Sequence, residues 1–128
     1  MIPPLELDVP ASPEVVGDIR QAVSAFAERV GVRDVWAVGL AVSEAVTNVV
    51  VHAYRGQDPG RIALTAEHPP DDGLVVTVQD TGGGLAPRSD SPGLGLGLSL
   101  VAQLADAIEL SVPPAGGTRL WMCFAVAE

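Results

Sequence analysis

The chain has a single cysteine, Cys123. One cysteine cannot form an internal disulfide, and its lone presence points to a cytoplasmic setting. Positive charge is also scarce: 7 Lys and Arg stand against 16 Asp and Glu, a formal net charge of −9. A surface of that sign repels nucleic-acid phosphate and argues against a DNA- or RNA-binding module. It equally repels a nucleoside triphosphate, so binding one requires a cation, local backbone N–H groups, or both. No apolar run approaches the roughly 20 residues of a membrane-spanning helix, so no membrane segment is expected. The opening MIPPLELDVP lacks the basic region and apolar stretch of a secretion signal. There is no internal repeat and no low-complexity tract.

What is present is enough apolar residue for one core. The chain has 128 residues and is 48% hydrophobic, which fits a single domain over 1–128 and excludes disorder. PLELDV alternates apolar and acidic residues and reads as a first strand. Ser12-Pro13-Glu14 reads as an N-cap followed by proline at the first helical position. Val15, Val16, Ile19, Ala22, Val23, Phe26 and Val30 then recur at helical spacing, with Gly31 as the stop. Asp34 caps a second helix that the pattern carries to about Tyr54, where Gly56, Pro59 and Gly60 end it. RIALTAE and LVVTVQD read as a hairpin joined by HPPDDG. TGGGLAPRSDSPGLGLG is a glycine-rich loop leading into a third helix, LSLVAQLAD. AIELSV and GTRLWMCFAV, joined by PPAGG, close the chain as strands. The order β-α-α-β-β-α-β-β predicts a two-layer α/β sandwich: a mixed, largely antiparallel sheet with about three helices on one face.

The second helix poses a chemical question. Glu44, Asn48 and His52 fall at four-residue steps, so they share one face of a helix. Their neighbours Val38, Leu40, Ala41, Val42, Ala45, Val46, Val49 and Val50 are apolar on most other sides, as in a buried helix. Burying an unpaired carboxylate costs several kcal/mol on the usual scale of such burials, so something must compensate. Either the stripe faces water, or it walls a cleft with a proton-accepting acid and an amide oxygen suited to a hard cation.

Two further constellations favour the cleft. Asp80 ends a strand and is followed by Gly82, Gly83 and Gly84, which allow backbone to approach a flat ligand closely. Gly93, Gly95 and Gly97 alternate with leucines, and Leu98 opens a helix; such a junction exposes N–H groups to an anion. The order is wrong for a dinucleotide-binding βαβ unit, since the acid-glycine box comes first. No lysine lies near these glycines, which excludes a Walker loop.

Taken together, the boxes resemble those of the Bergerat-fold (GHKL) ATPases. E-x-x-x-N at Glu44 and Asn48 looks like the N box (44–53), D-x-G-x-G at Asp80, Gly82 and Gly84 like the G1 box, G-x-G-x-G-L at Gly93 to Leu98 like the G2 box, and Gly117-Thr118 like the closing GT box. Any one box is unspecific; four in order are not a chance match. Within the superfamily, AVSEAVTNVVVHAY looks most like the small anti-sigma-factor serine/threonine protein kinases. That resemblance implies an ATP- and Mg²⁺-using kinase that phosphorylates an anti-sigma-factor antagonist and sequesters a sigma factor, with a homodimer admissible and no direct contact to nucleic acid or membrane. It implies Glu44 as general base, Asn48 as the Mg²⁺ ligand, and Asp80 as acceptor from the adenine amino group. Gly93, Gly95, Gly97 and the helix at Leu98 would hold phosphates, and Thr118 would support the adenine end. The lid between the glycine boxes, residues 85–92, is short for the family and carries one cation, Arg88, which could reach a γ-phosphate or simply be solvated. Two other functions stay open at this stage: a nucleotide-binding sequestering module with little turnover, favoured by the short lid, and a stand-alone sensor-kinase-like catalytic domain.

Other residues read as structural. His52 packs at a helix end, since no second His or Cys lies at ligand spacing. His68 falls in a Pro-rich turn and is expected in solvent. Cys123 is expected in the core, and Trp36, near a helix start, at the core edge, with an exposed anchor for a partner as the alternative. Tyr54 and Arg55 border the expected nucleotide mouth.

Overall fold

The structure, a computed structural model, describes residues 2–53, 60–81 and 98–127. Its elements are β1 (Leu5–Pro10), α1 (Val15–Val30), α2 (Val35–Asn48), a π-helical turn (Val49–Ala53), β2 (Arg61–Glu67), β3 (Leu74–Asp80), α3 (Leu98–Leu104), β4 (Ala107–Ser111) and β5 (Thr118–Phe124). This is the element order expected from the hydrophobic patterning.

The sheet order is β1-β2-β3-β5-β4. All four pairings are antiparallel, so the expected mixed sheet has no parallel neighbours among the described residues. The reason is the last hairpin. The passage through α3 lays β4 in the same direction as β3 but one strand away, and β5 returns to fill the gap between them.

Strand alternation places the core. Ile62, Leu64 and Ala66 of β2, Leu74, Val76 and Val78 of β3, and Leu120, Met122 and Phe124 of β5 are buried on one face. The same core takes in Ile19, Val23 and Phe26 of α1, Val38, Val42 and Val46 of α2, and Leu98 and Val101 of α3. The opposite face presents Glu6, Thr65, Thr77, Gln79 and Arg119, none of them buried. On it, Arg61 Nε donates to Asp8 Oδ1 at 2.7 Å, an exposed pair that adds little to stability.

Helix ends follow local chemistry. Asp34 caps α2, its Oδ1 accepting from the Ala37 N–H at 3.1 Å, and Gly31 ends α1 with φ 87°. α1 begins at Val15 rather than at Pro13, because the Ser12 and Pro13 carbonyls accept from the Val15 and Val16 N–H groups in a tighter first turn. The expected single helix to Tyr54 is also revised. α2 stops at Asn48 and widens into a π-helical turn at the β-branched run Val49-Val50-Val51. Three crowded β-branched side chains disfavour a regular α turn, and such turns often accompany functional sites. The stretch Val35–His52 is long and apolar enough to cross a membrane by length and composition, contrary to the expectation that no run is; half of it is buried in the core shared with α1, α3 and the sheet.

Candidate functional site

The inward rows of β3 and β5 pair rung by rung: Leu74 with Phe124, Val76 with Met122, Val78 with Leu120, and finally Asp80 with Thr118. Three apolar rungs thus end in one polar rung on the helix-covered face. Asp80 and Thr118 are each 1% exposed, and both are engaged by polar interactions. A carboxylate placed where the pattern calls for a leucine or valine is costly for folding alone.

Asn48 is the third member. It is 7% exposed at the last turn of α2, and its Nδ2 makes no hydrogen bond among the described residues. An unsatisfied buried amide group costs about 1–3 kcal/mol. The same amide can present Nδ2–H to an anion or, flipped, Oδ1 to a cation. Glu44, one turn earlier on the same face, is half-buried. The stripe is regular only between these two residues, because the π-helical turn intervenes before His52, which is half-buried and has a polar partner. The stripe therefore does not simply face water: Asn48 is enclosed, with Glu44 partly open beside it.

Among the described residues, Asn48, Asp80 and Thr118 are the buried polar side chains, and all three belong to the set picked out from the sequence. Register joins Asp80 to Thr118, and one helical turn joins Glu44 to Asn48. Leu98 opens α3, as expected, with its side chain 1% exposed in the core. Gly82, Gly84, Arg88, Gly93, Gly95 and Gly97 lie outside the described residues, as do Tyr54 and Arg55.

Three expectations outside this set change or sharpen. His68 is not simply solvated: its Nδ1 lies 2.7 Å from the Gly73 carbonyl, bracing the β2–β3 turn. Trp36 is not at the core edge but 70% exposed, because it falls on the outer side of the first turn of α2. Cys123 points to the outer face and is half-buried rather than in the core. Burial, then the nearby Asp72 and Asp106 carboxylates, push its thiol pKa up, so it is a poor nucleophile. Gly117, paired with Thr118 as the closing box in the sequence, lies against the end of β3: a Cβ there would meet the backbone of Asp80 and Thr81, a contact the sequence does not show.

Residues 9–124 match the family described as histidine kinase-like ATPase domain. The chain belongs to that family. This histidine kinase-like ATPase domain is 35% identical to the serine-protein kinase RsbW of Bacillus pumilus over 128 residues, covering 83% of the chain and 76% of the relative. It is also 35% identical to the RsbW of Halalkalibacterium halodurans, over 83% of the chain and 74% of the relative. Its fold is that of the crystal structure of the RsbU and RsbW domains of Rv1364c from Mycobacterium tuberculosis, with a TM-score of 0.72 at 22% identity. The match covers 98% of this chain and 32% of that one, so the chain spans about a third of that solved protein.

Proposed function

We propose that this chain is an ATP-dependent protein-serine kinase of the anti-sigma-factor type, which phosphorylates an antagonist protein and otherwise sequesters a sigma factor in the cytoplasm. The observation that carries the reading is that the buried polar side chains described are Asn48, Asp80 and Thr118, which fall in three of the four sequence boxes that resemble those of an adenine-nucleotide site. The similarity to RsbW serine-protein kinases over most of both chains supports the serine as phosphoacceptor.

The residues fit the nucleotide and its metal. Asp80, held in a dry environment, accepts from the adenine amino group, with Thr118 beside it. Asn48 offers an amide that nothing described satisfies, and its Oδ1 would hold Mg²⁺. When bound, Mg²⁺ neutralises phosphate charge on a protein that is itself strongly acidic. Gly82 and Gly84 would border the base, while Gly93, Gly95, Gly97 and the start of α3 at Leu98 would cradle the phosphates. Arg88 would meet the γ-phosphate. Glu44 takes the proton from the serine hydroxyl as its oxygen attacks the γ-phosphorus. The bond from that phosphorus to the β–γ bridging oxygen breaks, and ADP leaves with the electron pair.

Calorimetry with ATP and GTP, with and without Mg²⁺, tests the site. The expected result is Mg²⁺-dependent binding that favours ATP, since Asp80 would face the guanine carbonyl oxygen. Absence of ATP binding in both conditions would sink the reading, and equal affinity for GTP would remove Asp80 from its role. Labelled ATP with candidate antagonist proteins then tests transfer; tight ATP binding with no phosphorylated partner would favour a sequestering module.

A further inference from the structure

We infer that Gly117 is a positioning residue for base recognition: its missing side chain lets the β4–β5 hairpin close on the backbone of Asp80, which sets the Asp80 carboxylate. The inference rests on the nucleotide reading above. Gly116 and Gly117 are adjacent and both have left-handed backbone, with φ of 92° and 76°. Their surroundings differ. A Cβ on Gly116 meets nothing within 4 Å. A Cβ on Gly117 would run into the Asp80 carbonyl oxygen, and would lie 2.7 Å from the Thr81 Cα and 2.8 Å from the Asp80 carbonyl carbon. All three atoms are backbone, so no side chain can swing away to relieve them.

The register shows what must give. Thr118 pairs with Asp80, so Gly117 packs across the end of β3, against the backbone of Asp80 and Thr81. A methyl there must push the end of β3 and the start of β5 apart, at the one rung where both partners are buried polar residues. The rungs below, from Val78–Leu120 downward, are anchored in the core and cannot follow. The displacement is therefore taken up at Asp80. Recognition by a single buried carboxylate is sensitive to such a shift, because a hydrogen bond weakens steeply as its geometry departs from alignment.

The test compares Gly117→Ala with Gly116→Ala. Both add the same methyl to a left-handed backbone position, and Gly116, with the larger φ, is strained at least as much; only the first meets Asp80. Each protein is checked by circular dichroism and a thermal melt, then titrated with Mg·ATP and Mg·GTP. The expected result is that Gly116→Ala keeps wild-type affinities within about twofold, while Gly117→Ala loses at least tenfold in ATP affinity and most of its ATP-over-GTP preference. A merely destabilised protein would lower the binding-competent fraction for both nucleotides alike and leave their ratio intact. An unchanged ratio in folded Gly117→Ala overturns the positioning role. So does a Gly117→Ala chain that fails to fold while Gly116→Ala folds, which would assign Gly117 to stability. Equal losses in both variants would assign the effect to hairpin strain and overturn it too. A wild type that prefers ATP keeps the nucleotide reading whichever of these results is found; a wild type that binds neither nucleotide ends both.

Discussion

Glu44 and Asn48 stand one helical turn apart, yet their environments separate them. Asn48 is enclosed with an unsatisfied Nδ2, and Glu44 is half open. Glu44→Gln preserves size and polarity but removes the base. ATP affinity should change little, while phosphoryl transfer falls by roughly 10²–10⁴-fold, the usual contribution of general acid–base catalysis. Normal transfer by Glu44→Gln would make Glu44 a cleft-lining acid. Asn48→Ala should weaken Mg·ATP binding directly. It also removes the buried group that costs about 1–3 kcal/mol when unsatisfied, so the nucleotide-free protein should melt at the same temperature or a few degrees higher. A clear fall in melting temperature without nucleotide would show that the amide is structural. At this scale the sequence was informative: residue type and four-residue spacing singled out both positions. It misplaced Trp36, because an apolar side chain at a helix start carries no mark of which way the helix is turned.

Among the elements, α2 carries Glu44 and Asn48 and depends on its N-terminal cap. Asp34 Oδ1 satisfies the Ala37 N–H, and that turn carries no other acidic residue within the helix. Asp34→Ala should therefore cost about 1 kcal/mol, read as a fall of about 4 °C in the thermal melt, with ATP affinity of the folded protein unchanged. A melt indistinguishable from wild type would show that water caps α2 equally well. Strands were legible almost residue by residue: RIALTAE and LVVTVQD are β2 and β3 as found, since period-two alternation with a turn between them has few other solutions. The C-terminal half of the N-box helix was not. Its apolar residues continue at helical spacing through Val49-Val50-Val51, and periodicity alone does not distinguish an α turn from a π turn one residue wider.

For the molecule as a whole, titration of Cys123 offers a stability test. Its folded-state thiol pKa lies above the ordinary value of 9.0, mainly through burial and then through Asp72 and Asp106. A raised folded pKa favours the neutral thiol, so its contribution is fully present below the unfolded pKa and is lost as pH rises through the folded one. Stability to urea should decline above about pH 9, and Cys123→Ala should lack that part of the decline. At pH 8 iodoacetamide should label the native protein much more slowly than the urea-unfolded chain. Equal labelling rates would mean the thiol is as free in the fold as outside it.

The sequence by itself determined the element order, the bounds of β2 and β3, the cap at Asp34 and the identity of the polar residues, because all of these are written in local spacing and residue chemistry. Tertiary structure alone decided that β5 enters between β3 and β4, and so that Asp80 meets Thr118. Strand neighbours are chosen by which apolar faces close on one another, and that choice depends on contacts some 40 residues apart. It also decided that Asn48 is enclosed, since whether a polar stripe faces solvent or a cleft depends on what the rest of the chain lays against it. Gly117 shows the same limit most plainly. In the sequence its place beside Thr118 marks it off from Gly116; only the fold shows that it abuts the Asp80 backbone while Gly116 faces open space.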